Sequence, residues 1–325
     1  MLNWAQSEFA SLREALHQLL MAFTSDGGSR IYWLSLMTGL IIAYAAYARR
    51  DQQRTFADLL FSREIWLGRS AINDYAVLLI GAALRATLLA SAFFHWEDIA
   101  VPIIHGLQQM GVAGQVHSAP STALAVAFTV VLFVADDFLR WLHHWLMHAI
   151  PELWEFHKVH HSAELLNFAT VERFHPFEVV LSAAMLTIGY GMINGIFIAF
   201  FGELIAPITL LGANVLVLTA NLLGGALRHS PFWVGFGTRV ERWIVSPAMH
   251  QIHHSDAKEH AGRNLGSTLS IWDRLFGTLT TSQGEHVRTF GIGEETAEFR
   301  SLQVIFFRPF VAAAKAAATR LAGHS

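Results

Sequence analysis

The chain has 325 residues, of which 53% are hydrophobic and 14% charged, with 24 Phe, 10 Trp, no Cys and a formal net charge of −3. A mean hydropathy of +0.39 is too high for an ordinary soluble domain and indicates a polytopic membrane protein. The small negative charge without a basic tract argues against nucleic acid as partner. The absence of cysteine excludes disulfides, thiolate catalysis and iron–sulfur or thiolate-ligated haem centres, so any redox metal must be held by nitrogen and oxygen.

In chain order, residues 1–30 read as an amphipathic interfacial helix, with Phe9, Leu12, Leu16, Leu19 and Phe23 at helical spacing. They lack the basic start and cleavage site of a signal peptide. Five apolar stretches follow, at residues 31–48, 75–94, 121–139, 179–201 and 204–227, each judged against the roughly 20 residues that cross a bilayer. The second carries Arg85 and the third carries Asp136 and Asp137, so neither is a clean lipid-facing span. Residues 98–120, with Pro102 and several glycines, are expected to form a loop or re-entrant segment. The divisions are 1–30, an N-terminal helical region 31–118, a catalytic unit 119–282, and a tail 283–325 with an Ala-rich helix.

Nine of the 18 histidines fall into a four-part pattern: His144 and His148 in HWLMH, His157, His160 and His161 in HKVHH, the lone His229, and His250, His253 and His254 in HQIHH. Positions i, i+3 and i+4 share one helix face, so each box can aim its imidazoles at one point. A lone histidine or a single HxxxH is more often structural. Three boxes in an apolar chain are different, because polar groups near a bilayer are costly unless they work. Imidazole suits zinc, copper, iron and nickel, and one closed site needs about four ligands, so nine candidates suit two ions. The fourth and fifth stretches read as a tight hairpin around Gly202 and Glu203, returning every histidine element to one side. Arg49, Arg50, Arg54, Arg140, Lys158, Arg173, Arg228, Arg239 and Arg242 flank that side while the hairpin tip has no Lys or Arg. The positive-inside rule makes it cytoplasmic, with a bacterial inner membrane as the expected location.

The run DFLRWLHHWLMHAIPELWEFHKVHHSAELLNFATVERFHPFE (residues 137–178), then SPAMHQIHHS and RNLGSTLSIWDRLFGT ending at Thr278, resembles the histidine-box core of the fatty acid hydroxylase and sterol desaturase superfamily over roughly residues 120–280. The resemblance implies an all-α, polytopic membrane helical bundle with a histidine-lined di-metal site. It also implies a non-haem di-iron oxygenase that hydroxylates or desaturates a lipid with O2, and it carries the nine histidines over as iron ligands. Zinc can replace iron in purified protein, since it binds nitrogen sites more tightly than ferrous iron. Two departures stand out: Trp145 where the family usually has Arg after the first histidine, and Pro231 where it usually has Asn two positions after the lone one.

Around the nine, the expectations are specific. Asp137, seven residues before His144, would orient an imidazole or balance the cluster's charge. Asp136 would pair with Arg85. Glu172, Glu178 and Asp256 read as solvated charges or helix caps, and Asp273 as making local contacts. Asn264 would supply a water-bridged ligand or hold a turn. His143 lies about 100° around the helix from His144 and reads as a neighbour of the site or as structural, His175 before Pro176 reads as a tenth ligand or a substrate gate, and an added ligand role stays open for both. With no GxGxxG fingerprint, cysteine cluster or haem module, electrons would come from an external donor, ferredoxin or cytochrome-type with a reductase. Hydroxylation is favoured over desaturation, and fatty acyl, sterol-like, carotenoid and polar lipids remain open as substrates. A metal transporter, with sites at mid-membrane, and a membrane zinc hydrolase, which needs a general base beside its ligands, are the other classes.

Overall fold

The computed structural model describes residues 13, 14, 16–48, 55–88, 95–112, 114 and 121–322. Its main helices are α1 (Trp33–Tyr47), α2 (Arg69–Leu88), α3 (Trp96–Gln109), α4 (Thr122–Ala149), α5 (Pro151–His161), α6 (Pro176–Phe201), α7 (Val215–Leu222), α8 (Pro247–His253), α9 (Ile271–Phe276) and α10 (Leu302–Ala322). Among the described residues, α4, α6 and α10 are long and apolar enough to cross a membrane.

The site depends on how α4 ends. Its 28 residues make it about 42 Å long, more than the roughly 30 Å hydrocarbon layer of a bilayer. Its last turns, with His144 and His148, therefore project past an apolar span. Ile150 then turns extended (φ −102°, ψ 115°) and Pro151 opens α5 at its first position. Proline has no N–H to continue the earlier helix but suits the first turn of a new one. The break folds α5 back against α4, so that two histidine helices face each other.

α6 is set the same way at both ends. Pro176 occupies its first turn, where the Phe177 N–H donates to His175 Nδ1 at 3.1 Å. Gly202, left-handed at φ 78°, closes its C-terminus. Gly191 and Gly195 lie against α3: a Cβ at the first would come within 2.6 Å of the Trp96 carbonyl, and one at the second within 2.9 Å of Ala100 O. The GxxxG spacing lets two helix backbones approach more closely than side chains allow.

Several sequence expectations are corrected here. Residues 98–120, expected as a loop or re-entrant segment, instead open within α3, a 14-residue helix that contains Pro102 and is too short to cross. The stretch 204–227, expected as a fifth crossing, is broken. A two-residue hairpin pairs Thr209–Leu210 with Ala213–Asn214, the eight-residue α7 follows, and a 3-10 turn Gly225–Leu227 leads to His229. Leu211 (φ 52°) and Gly212 (φ 76°) make the hairpin turn. Asn214 Nδ2 donates to the Thr129 carbonyl at 3.1 Å and Asn221 Nδ2 to Gly28 O at 2.9 Å. Side-chain amides thus tie the broken stretch to α4 and to the N-terminal segment. The first stretch forms a helix of only 15 residues, and α2, from the second, starts earlier than expected, at Arg69. Residues 89–94, Arg49, Arg50, Arg54, Phe9 and Leu12 lie outside the described residues. The segment 16–24 is helical, with Leu16, Leu20, Met21 and Phe23 exposed.

α2 is anchored through charge. Arg173 Nη1 meets Asp74 at 2.7 Å, with both side chains essentially inaccessible to solvent. Thr170 Oγ1 and Asn167 Nδ2 donate to the other Asp74 oxygen at 2.7 and 3.0 Å. Arg173 also donates to Val159 O and Ser162 Oγ, both at 2.9 Å. A buried ion pair is tolerable when its remaining hydrogen-bonding capacity is met in this way, and it ties α2 to the end of α5. α10, at the tail, packs on α5: Phe310 meets Phe156 at 5.2 Å between ring centroids, and the His175 Nε2–H donates to Phe306 O at 3.1 Å.

Candidate metal centre

All nine histidines of the four-part pattern converge. Their ligand atoms form two groups, each with every atom within 4.8 Å of the others: His144, His148, His157, His161 and His253 in one, His160, His229, His250 and His254 in the other. The HxxHH spacing explains the split. On α5, His157 and His161, one turn apart, enter the first group while His160 enters the second. On α8, His253 enters the first while His250 and His254 enter the second.

The contacts inside the groups fit metal ligation better than hydrogen bonding. In the second group, Nε2 of His229 lies 3.2, 3.1 and 3.0 Å from Nε2 of His160, His254 and His250, and the last two are 3.2 Å apart. A neutral imidazole has one N–H and one lone pair, so four nitrogens crowded together cannot all be satisfied by each other. Two nitrogens about 2.1 Å from a shared ion stand about 3.0 Å apart at a right angle and about 3.4 Å apart at the tetrahedral angle. In the first group His144 Nε2 and His157 Nε2 are 3.1 Å apart, and Nε2 of His148, His161 and His253 are buried without a hydrogen-bond partner. Buried polar atoms are rarely left so, and these residues fit a metal ion.

For three of the rings the far side explains which nitrogen is free. His144 Nδ1–H donates to Leu265 O, His253 Nδ1–H to Arg263 O, and His157 Nδ1–H to Glu178 Oε1, each at 2.8 Å. A carbonyl or carboxylate can only accept, so Nδ1 carries the proton and Nε2 keeps its lone pair for a metal. His160 stacks on Phe174 with centroids 4.3 Å apart and planes 11° apart. Trp154 packs on His148 and His161 at 4.9 and 5.4 Å.

A family model for fatty acid hydroxylases matches residues 129–278, the segment that holds every one of these imidazoles. That match covers 150 of the chain's 325 residues and makes this segment similar to the fatty acid hydroxylase family. It is similar to an ornithine lipid hydroxylase of Rhizobium tropici, 30% identical over 159 residues, which are 47% of this chain and 42% of that protein. It is also similar to alkylglycerol monooxygenases: 25% identity to that of Homo sapiens over 55% of this chain and 36% of the relative, and 26% to that of Caenorhabditis elegans over 53% and 30%. The chain thus spans less than half the length of these curated relatives. No solved structure matches it.

Not every residue singled out in this segment sits where the sequence suggested. Asp137 hydrogen-bonds to no imidazole. Its carboxylate accepts from the Thr268 and Leu269 N–H groups at 2.7 and 3.0 Å and from Trp272 Nε1 at 3.0 Å. Seven residues of helix separate it from His144 by about 10 Å, out of reach of the ring. It latches the 264–272 loop, and that loop supplies the Leu265 carbonyl to His144. Asp273 secures the same loop, accepting from Leu265 N at 2.9 Å and Gly266 N at 2.8 Å. Asn264, left-handed at φ 55°, holds the turn: its Nδ2 donates to Met249 O at 3.0 Å and its Oδ1 accepts from Thr280 N at 2.8 Å.

Asp136, expected opposite Arg85, instead takes Arg140 at 2.8 Å and the Tyr190 hydroxyl. The Arg85 side chain lies outside the described residues. His175 caps α6 and stands outside both histidine groups. His143 is partly buried, with Nε2 3.9 Å from Glu178 Oε1. Asp256 accepts from Thr289 Oγ1 at 2.7 Å. Trp145 is 39% exposed and stacks on Trp141 at 6.3 Å, while Pro231 lines a small cavity with Tyr47 and Phe232.

The residue that sequence reasoning undervalued is Glu178. It is 3% exposed in the first turn of α6, where its charge also complements the helix dipole. An acidic residue opening a long apolar helix was the available signal. Replacing Glu178 by Gln should leave the fold intact and lower metal retention roughly 10- to 100-fold. Asp137→Asn should lower the thermal midpoint first, because it unlatches a loop. Metal content and melting of the two variants separate the roles; unchanged metal retention in Glu178→Gln would overturn this assignment.

Burial and neighbouring imidazoles hold His160, His161, His250 and His254 well below the ordinary histidine range, as burial and then Arg30 and Arg228 do for His229. Burial brings His253 down to about 3, partly opposed by its bond to Arg263 O. Unfolded histidine titrates near ~6.5, so the unfolded chain takes up protons first. Stability contributed by these neutral rings is fully present above that pH and drains away as pH falls toward the folded values. Melting of metal-free protein between pH 7.5 and 4.5 should therefore show a steep loss below about pH 6; equal midpoints at both ends would contradict it.

Proposed function

We propose that this chain is a membrane-bound, non-haem di-iron oxygenase that hydroxylates a lipid C–H bond with O2 and two external electrons. The observation that carries the reading is the pair of adjoining imidazole groups, five and four, gathered at the projecting end of an apolar helix. Two iron ions bound there would supply the reduction of O2 and the attack on an unactivated C–H bond. In the balance, the substrate gains one oxygen atom, the other takes two electrons and two protons and leaves as water, and an external ferredoxin or cytochrome-type donor with a reductase supplies the electrons while the protons come from solvent.

The residues of the chain have separable tasks. The nine histidines hold the ions, with Glu178 and the carbonyls of Leu265 and Arg263 fixing tautomer and ring direction. Phe174 and Trp154 keep water from the rings. The names of the hydroxylase and monooxygenase relatives favour hydroxylation over desaturation, and the site's setting at span ends argues against a transporter. Expressing the gene in a host and comparing its lipids by mass spectrometry tests the activity. A gain of one oxygen, lost when His157, His160 and His161 are together replaced by alanine, is expected. A loss of two hydrogens would mean desaturation, and no lipid change would remove the proposal.

The C-terminal end of α4 and the N-terminal end of α6 meet at the histidines, whereas Gly202 closes the far end of α6. The Arg and Lys distribution supports a reading in which the histidine end faces the cytoplasm, with a bacterial inner membrane as the host bilayer. Reporter fusions after Gly202 and after Ser282 should report opposite sides; the same side for both would overturn this topology.

A further inference from the structure

Two guanidiniums stand beside the histidine groups with no carboxylate in direct ion-pair contact among the described residues. Arg228, the residue before His229, is 3% exposed, and its buried Nε meets no acceptor. Arg30 reaches in from the N-terminal segment and donates from Nη2 to Ser267 Oγ at 2.9 Å. Ser267 belongs to the loop whose Leu265 carbonyl accepts from His144. The two arginines are close enough for Arg30 to oppose the charge on Arg228.

The nearby carboxylates are engaged elsewhere. Asp137 is felt by both arginines but is filled by three N–H donors, and Asp136 is held by Arg140 and Tyr190. Glu172 is felt by Arg30. Yet among the described residues no carboxylate closes an ion pair on Arg30 or Arg228, as Asp74 does on Arg173 at 2.7 Å. A buried cation left unpaired is strongly unfavourable, and the nine imidazoles bring no negative charge of their own. A site assembled this way is completed by an anion.

We propose that Arg30 and Arg228 form a pocket for the phosphate or carboxylate headgroup of an anionic membrane lipid, the substrate of the adjoining centre; this rests on the oxygenase reading above. The planar guanidinium fork matches the oxygens of either group. The location selects a lipid over a free anion. Both arginines sense Asp137, which lies two helical turns before His144 on the apolar side of α4. α1, an apolar helix, packs on the 3-10 turn that leads into Arg228. An acyl or alkyl tail therefore has apolar helices to follow away from the pocket. Because Arg228 adjoins His229, the headgroup is held beside the imidazoles, and the carbon presented for oxidation lies in the headgroup or next to it.

Titration of the metal-loaded protein in neutral detergent micelles, followed by calorimetry, tests the pocket without requiring turnover. Dioleoyl phosphatidic acid should bind roughly tenfold or more tightly than dioleoylglycerol, the scale expected of a charge-assisted hydrogen-bonded contact. Arg30→Gln and Arg228→Gln should each erase that preference. Arg30 is only partly buried, so its variant remains informative if Arg228→Gln fails to fold, with metal content and melting as checks on both. Equal binding of the two lipids by the unaltered protein, or an undiminished preference in folded Arg30→Gln, would overturn the pocket. Inorganic phosphate displacing phosphatidic acid at equal concentration would assign the site to a soluble anion and overturn the lipid. Binding with no oxidation of any lipid would instead overturn the oxygenase reading and leave the pocket standing.

Discussion

A protein interior accepts nine imidazoles only if they stay neutral, and this requirement organises the rest of the site. A protonated ring among the others would face both desolvation and repulsion from its neighbours. A neutral ring must place its single N–H somewhere and leave its lone pair where an ion can use it. For His144, His253 and His157 the acceptors of that N–H are the Leu265 and Arg263 carbonyls and Glu178. Two of the three belong to one irregular loop, so its exact course matters as much as that of the helices. Asp137 and Asp273 clamp the loop from opposite sides, through Thr268 and Leu269 on one and Leu265 and Gly266 on the other. Buried carboxylates that touch no histidine therefore still fix the direction in which His144 points.

The helical boxes were readable because a 3.6-residue period is a property of local sequence. HxxHH puts three rings on one side of a turn whatever surrounds it, and Pro151 and Pro176 mark where the chain must break. The division into groups of five and four was not readable, since it depends on how α5 and α8 face each other across the site. Asp137 misled for a related reason: helix periodicity gives the face of a residue but not what packs on that face. The loop from Asn264 to Ser270 occupies it. The stretch 204–227 misled through composition. Hydropathy counts Gly224, Asn214 and Asn221 as small interruptions, whereas the positive φ of Gly224 and the side-chain amide bonds of the two asparagines go with a stretch divided into short elements.

The two long helices divide their surfaces between lipid and protein. Val126, Val130, Val131 and Val134 on α4 are exposed, as are Val180, Ile188, Met192, Ile196 and Phe200 on α6. The rows recur at helical spacing, which marks a continuous apolar face rather than scattered exposure. The buried positions of α6 are instead mostly small, Gly189, Gly191, Gly195 and Ala199, and there the neighbouring backbone comes close. Where water would ordinarily disfavour such exposure, a bilayer makes it neutral, and packing of small residues supplies the helix contacts that the hydrophobic effect cannot. The polar groups of the two helices gather at the end that meets the histidines: Asp137 and Arg140 late in α4, Glu178 early in α6.

Sharing of helices between the two histidine groups has a consequence for how the centre assembles. α5 gives His157 and His161 to one group and His160 to the other, and α8 divides His253 from His250 and His254 in the same manner. Neither group can form while either helix is out of place, and an ion in one group orders the helices that build the second. Binding that orders a shared element lowers the cost of the next binding event, so the two sites should fill cooperatively. The lone His229 enters only the second group, yet it bridges by Nε2 contacts of 3.0 to 3.2 Å to rings from both α5 and α8. It therefore acts as the fastener between the two helices, which explains why a residue outside any box is buried as deeply as those within one.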